Sequence, residues 1–181
     1  MIQHREIRLS GSGGQGLQLS ARILARVFIN AGAHVAQSQS YEPTSRGGMS
    51  RSDLVIDEGT PDYPLATSLD ILLILDECAA GASEDILGKG ALVFFDAERV
   101  KTRPKTGMAL PLTRKARELG NIRVANIIAL GAMNALAEFC SGDELESAVR
   151  SSVPARFVDL NLEALAAGYE MAQDAKAPQT A

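Results

Sequence analysis

Four glycines in six residues, Gly11-Ser12-Gly13-Gly14-Gln15-Gly16, follow a first strand read at residues 5 to 10 and precede a helical repeat of Leu and Ile. They spell G-x-G-x-x-G between a strand and a helix, the context in which that motif carries meaning. Glycines there let the backbone turn sharply and bring N–H groups against a ligand, while the helix N-terminus adds partial positive charge. The chemistry this predicts is the binding of phosphate or another anion. The plainer alternative is a tight turn that packs helix on sheet.

A dinucleotide site would also want an acid about 20 residues further on, at the end of the second strand, to hold a ribose. That strand ends in Ser38-Gln39-Ser40, and the nearest acid, Glu42, falls in a loop beside Pro43. A P-loop is excluded because no Lys-Ser/Thr pair follows the glycines. A stand-alone NAD- or FAD-binding dehydrogenase, or a nucleotide-binding module, therefore remains the alternative reading and lacks its second anchor.

The second chemistry-bearing stretch is Ser40 to Arg51, SYEPTSRGGMSR. Arg46 has a planar fork suited to phosphate or carboxylate, and Gly47 and Gly48 let a partner approach the backbone. If the first two strands are adjacent, this loop leaves the sheet beside the glycine loop. A single RGG in an acidic chain does not make a nucleic-acid box. Asp57, Asp76 with Glu77, and Asp96 each end an apolar run, so a parallel sheet would gather them on one edge. Magnesium is one use for them, but capping of the next turn is the expected role and no metal site is assigned. His4 and His34 have no nucleophile arrangement around them, and Cys78 and Cys140 read as packed thiols.

GSGGQG after the first strand, YEPTSRGGMSRSDLVI, and NIIALG at 126 to 131 together resemble the gamma subunit of 2-oxoacid:acceptor (ferredoxin) oxidoreductases. Many members have Tyr-Gly where this chain has Tyr41-Glu42. The resemblance implies a reaction in which a 2-oxoacid and coenzyme A give acyl-CoA, carbon dioxide and two electrons for ferredoxin, with 2-oxoglutarate the favoured oxoacid. It implies that thiamine diphosphate, magnesium and [4Fe-4S] clusters lie on partner alpha and beta subunits, in some complexes also a delta subunit. This chain would then shape the coenzyme A entrance and be inactive alone. Matched to the family, Gly11, Ser12, Gly13, Gly14, Gln15 and Gly16 form the glycine loop, Tyr41, Arg46, Gly47 and Gly48 the second motif, and Asn126 the third. Their implied roles are backbone donors, an Arg fork and a Tyr contact near coenzyme A phosphates or a neighbouring subunit. None is an acid, base or nucleophile, so no catalytic residue is assigned. A free copy can pair with itself through the face meant for its partners.

The elements that must position these loops alternate short apolar runs with helical repeats, the pattern of a sheet covered by helices. Strands are predicted at 5–10, 34–38, 52–57, 70–75, 91–95 and 121–124, and helices at 16–31, 79–87, 112–119, 126–139, 143–150 and 160–172. Residues 97–111 are predicted as a long loop. The fold class is α/β: a three-layer Rossmann-like domain with a mostly parallel sheet and helices on both faces. A length of 181 residues, 46% of them hydrophobic, suits one domain, taken as 1–172, with a flexible tail at 173–181. A net charge of -4 argues against nucleic acid or anionic membrane as partner. Two isolated cysteines cannot hold a four-cysteine cluster. With no apolar leader and no stretch of about 18 apolar residues, a cytoplasmic location is expected.

Overall fold

The computed structural model of the chain describes residues 4–41 and 48–176, and of Tyr41, Ala175 and Lys176 the backbone only. Strand β1 (Arg5–Ser12) leads into helix α1 (Leu17–Asn30), then β2 (His34–Tyr41), β3 (Met49–Asp57), β4 (Leu69–Ile74), β5 (Leu87–Asp96) and β6 (Met108–Leu110). Helices α2 (Leu112–Glu118), α3 (Ala125–Ala137), α4 (Gly142–Ser152) and α5 (Val158–Lys176) follow. The strands form one sheet in the order β2-β3-β1-β4-β5-β6. β1, β4, β5 and β6 pair in parallel, and β3 runs antiparallel to both its neighbours. The mostly parallel α/β sheet is as expected.

Alternation along β1 sorts the two faces. Ile7 and Leu9 join a core with Leu54, Leu73 and Phe94, and every α-helix contributes to it. The opposite face carries a smaller core around Leu72, Ile74, Val93 and Phe95. There the expected third layer is thin, made of loops and two 3-10 turns, Glu77–Ala79 and Glu84–Ile86, that replace the helix expected at 79–87. Gly81, at φ 76, interrupts that stretch, and the side chain of Asp76 caps its first turn.

Helix α3 is buried over Asn126 to Asn134, so it reads as apolar on all sides rather than amphipathic. It lies against α5 with backbones in contact: a Cβ on Gly131 would strike the Leu165 carbonyl, and one on Gly168 the Ile128 carbonyl.

Four further expectations are corrected. Residues 121–124 form a 3-10 turn, Ile122–Val124, because the Asn121 side chain accepts the Arg123 N–H at 3.0 Å and starts the entry into α3. Part of the loop at 97–111 forms the edge strand β6, three residues being too short to show a period. Finally, β1 and β2 are not adjacent, since β3 lies between them. β3 is buried along most of its length with Leu54, Val55 and Ile56 at its centre, whereas β2 is the polar HVAQSQSY, so the hairpin puts its apolar arm inside and its polar arm at the edge. α5 also continues to Lys176, past the expected end at 172.

Candidate functional site

The glycine loop leaves the centre of the sheet. Gly11 and Ser12 still belong to β1, and the chain then turns through Gly14 at φ 88 and Gly16 at φ 75 into α1. Gln15 fastens the turn: its Oε1 accepts the Ser12 N–H at 2.7 Å and its Nε2 donates to the Leu75 carbonyl at 3.0 Å. A side chain at Gly11 would collide with that carboxamide. A Cβ at Gly16 would lie 2.5 Å from Asn126 Nδ2, which donates to the Gly16 carbonyl at 3.2 Å and to Ser20 Oγ at 2.9 Å. Gln15 and Asn126 thus shape the loop from within.

Gly13 and Gly14 differ, because a Cβ on either would meet no heavy atom within 4 Å. Beside them α1 begins with neither a side-chain cap nor an acidic residue in its first turn. Uncapped N–H groups and the helix dipole therefore face an open concavity, an arrangement that attracts anions.

The second loop reaches the same edge by a different route from the one expected. In register, Gly11 pairs with Ser50, and Ser50 with Tyr41, so the end of β2 stands level with the glycine loop although β3 intervenes. A groove of about 400 Å³ runs between the glycine loop and Ser50. Gly48 precedes β3 at this edge, whereas Arg46 and Gly47 lie outside the described residues.

On the other side a cleft of about 240 Å³ lies between the glycine loop and Leu75, Asp96, Arg99, Thr113 and Arg123. The carboxylates act mainly as caps. Asp96, 1% exposed, accepts the N–H groups of Glu98 at 2.9 Å, Arg99 at 3.2 Å and Thr113 at 2.9 Å, and the Thr113 hydroxyl at 2.5 Å. Asp76 accepts the Cys78 N–H and a two-pronged contact from Arg99 at 2.9 and 2.6 Å. Burial pushes the Asp76 carboxyl up, but the Arg99 guanidinium and the Cys78 amide outweigh it and hold the group below the usual range. Asp57 ends the antiparallel β3 and so lies at the opposite edge, bonded to His4 at 2.8 Å. That bond raises the His4 pKa, and burial pushes the Cys140 thiol up to about 12. Among the described residues no three His, Cys, Asp or Glu side chains converge as metal ligands.

Two residues of this region were missed in the sequence. Arg123 stands on the cleft wall with no described ion pair, and Asn161 lies beyond it at the start of α5. Neither carries a local motif, and only the fold brings them to the loop.

Fold and cleft define an α/β domain with an anion-ready loop at the centre of its sheet. The chain belongs to the pyruvate ferredoxin/flavodoxin oxidoreductase family, whose model matches residues 6–171. It is 37% identical over 177 residues to the 2-oxoglutarate synthase subunit KorC of Methanocaldococcus jannaschii, covering 94% of this chain and 95% of that one. The gamma subunit of a keto/oxoacid ferredoxin oxidoreductase from Geobacter sulfurreducens superposes with a TM-score of 0.82 at 38% identity, covering 94% of this chain and 99% of that one. In fold alone, 95% of this chain matches 31% of a longer chain at 20% identity with a TM-score of 0.81. That neighbour is the 2-oxoglutarate:ferredoxin oxidoreductase of Magnetococcus marinus with 2-oxoglutarate, coenzyme A and succinyl-CoA bound. Relatives and neighbours are thus subunits or chains of oxidoreductase complexes. No helix among the described residues is long and apolar enough to cross a membrane.

Proposed function

We propose that this chain is the gamma-type subunit of a coenzyme A-dependent 2-oxoglutarate:ferredoxin oxidoreductase, working in the cytoplasm. The complex would convert 2-oxoglutarate and coenzyme A to succinyl-CoA and carbon dioxide, and two electrons would leave to ferredoxin. The end-to-end similarity to KorC carries the reading. Thiamine diphosphate, magnesium and [4Fe-4S] clusters belong to alpha, beta or delta partners, and the chain alone is inactive. Residues 1–172 act as one unit.

Its own contribution is to binding. The glycine loop offers open backbone at Gly13 and Gly14 beside an uncapped helix, which suits a phosphate group of coenzyme A. Ser12, Gln15 and Asn126 keep that backbone in place, while Tyr41, Arg46, Gly47 and Gly48 contact the same ligand or the neighbouring subunit. A self-contained dinucleotide enzyme is disfavoured by topology. An acid at the end of β2 would be separated from the glycine loop by the whole of β3.

The test is to express the chain with its genomic neighbours and follow coenzyme A-dependent reduction of a low-potential dye. We expect 2-oxoglutarate to outperform pyruvate, activity to vanish without this chain, and Gly13→Glu to raise the KM for coenzyme A tenfold or more, roughly the cost of setting a charge against a phosphate. A fully active complex that never contains the chain would overturn the assignment.

A further inference from the structure

The sheet ends in two unlike edges. β6 is three residues long and offers little to pair with, whereas β2 presents eight residues, His34 to Tyr41, held to β3 without a break in register. In an antiparallel ladder every second residue of such an edge strand turns its N–H and C=O outward. Proteins usually blunt an open edge with Lys, Pro, a bulge or a very short strand. The sequence HVAQSQSY carries none of these, and among the described residues the sheet stops there.

Helix α1 stands beside this edge. Residues opposite one another in register share a face, so Val35 and Gln37 lie on the side of Ile56 and Leu54, the side that the helices cover. One flank of α1 belongs to α4, with Leu19 beside Val153 and Arg26 donating to the Ser151 carbonyl at 3.4 Å. The other flank, Gln18, Arg22, Ala25 and Ile29 at helical spacing, is turned to the β2 side and has no helix against it. Gln18 and Arg22 are exposed there, and Ile29 is 55% exposed. Arg22 has no ion pair among the described residues, and neither α1 nor β2 contains an Asp or Glu. In a chain of net charge -4, this flank is cationic.

We propose that β2 accepts an extended segment of a partner subunit as a further strand, which brings a carboxylate to Arg22 and an aliphatic side chain to Ile29. The two contacts are about 10 Å apart along the helix, so the two side chains stand two or four residues apart on the helix-facing side of the incoming strand. Main-chain hydrogen bonds supply the affinity, and these two contacts choose the partner. A second copy of this chain fits badly. A two-fold axis perpendicular to the sheet would join β2 to β2 and bring both Arg22 side chains to one face, with no acid on either helix or strand to meet them. The inference rests on the reading of the chain as one subunit of a complex.

The experiment compares amide hydrogen exchange over His34–Tyr41 in the free chain and in the complex purified with the products of neighbouring genes. The outward N–H groups should exchange fast in the free chain and about tenfold or more slowly in the complex. Arg22→Glu, at an exposed position, should weaken assembly about tenfold, with a smaller deficit at high salt. Ile29→Ser should weaken it about fivefold through lost apolar burial. Protection of β2 with an affinity indifferent to Arg22→Glu would refute the carboxylate. Protection that appears in the free chain as its concentration is raised would give the edge to a second copy and overturn the proposal. A complex that contains the chain while β2 exchanges as fast as when free would overturn it too and leave the subunit reading standing, whereas a complex that never contains the chain would remove both.

Discussion

Two polar clusters grow from the same strand and end in opposite states. On the thin-layer side of β1, Arg8 is 3% exposed and Asp53 1%, and the guanidinium meets the carboxylate through two contacts of 2.7 Å. Arg8 Nη1 also donates to Ser83 Oγ at 3.0 Å, and the neighbouring Glu6 accepts the N–H groups of Thr67 and Ser68 at 2.5 and 2.7 Å. No side-chain nitrogen or oxygen of this cluster is sealed without a partner. At the end of the strand, by contrast, Gly13 and Gly14 stand open, and Arg123 has no ion pair among the described residues. A polar cluster with every partner present fastens covering loops to a sheet. One that is half complete leaves room for something that arrives later.

The contrast can be broken most forcefully at Asp53. Asp53→Ala leaves the Arg8 charge buried without its counter-ion, and removing one partner of such a pair costs about 3–5 kcal/mol. Denaturant unfolding should show a loss of that size. A loss below about 1 kcal/mol, the range of exposed pairs, would show that water reaches Arg8 and that the cluster is no fastening at all. Gln15 should come next. Gln15→Ala strands the Ser12 N–H and the Leu75 carbonyl, for about 1–3 kcal/mol, and should also raise the KM for coenzyme A because the loop loses its shape. A stability loss with an unchanged KM would place the ligand elsewhere.

The sequence made the open cluster visible and hid the closed one. The glycine loop is local: six consecutive residues between a strand and a helix announce both the turn and its chemistry. Arg8 and Asp53 are 45 residues apart and each looks like an ordinary polar position in an alternating strand. The two loops share an edge without the strand adjacency that the sequence reading made its condition, because the apolar content of β3 draws it between β1 and β2. Residues 79–87 looked helical by composition, yet Gly81 in the left-handed region and the Asp76 cap divide them into turns. Asn126 was expected beside the ligand, and its nitrogen proves to be committed to the glycine loop itself. Arg123 and Asn161 needed the fold, since only packing of α3 against α5 brings them to Gly14.

The smallest effect lies at the edge of the open cluster, at Asp76, which Ser12 Oγ contacts at 3.4 Å and Arg99 holds from the cleft side. Its carboxyl sits below the usual range when folded. A depressed acid contributes stability above its unfolded pKa of about 3.9, and that contribution disappears as pH falls through the lower folded value. Arg99 is 40% exposed, so the pair is screened and contributes less than about 1 kcal/mol. Asp76→Asn should therefore leave the neutral-pH unfolding midpoint nearly unchanged and flatten the acid limb below pH of about 4. An acid limb identical to that of the native chain would mean that Arg99 leaves Asp76 in solution, freeing the guanidinium to stand in the cleft with Arg123, which has no ion pair among the described residues.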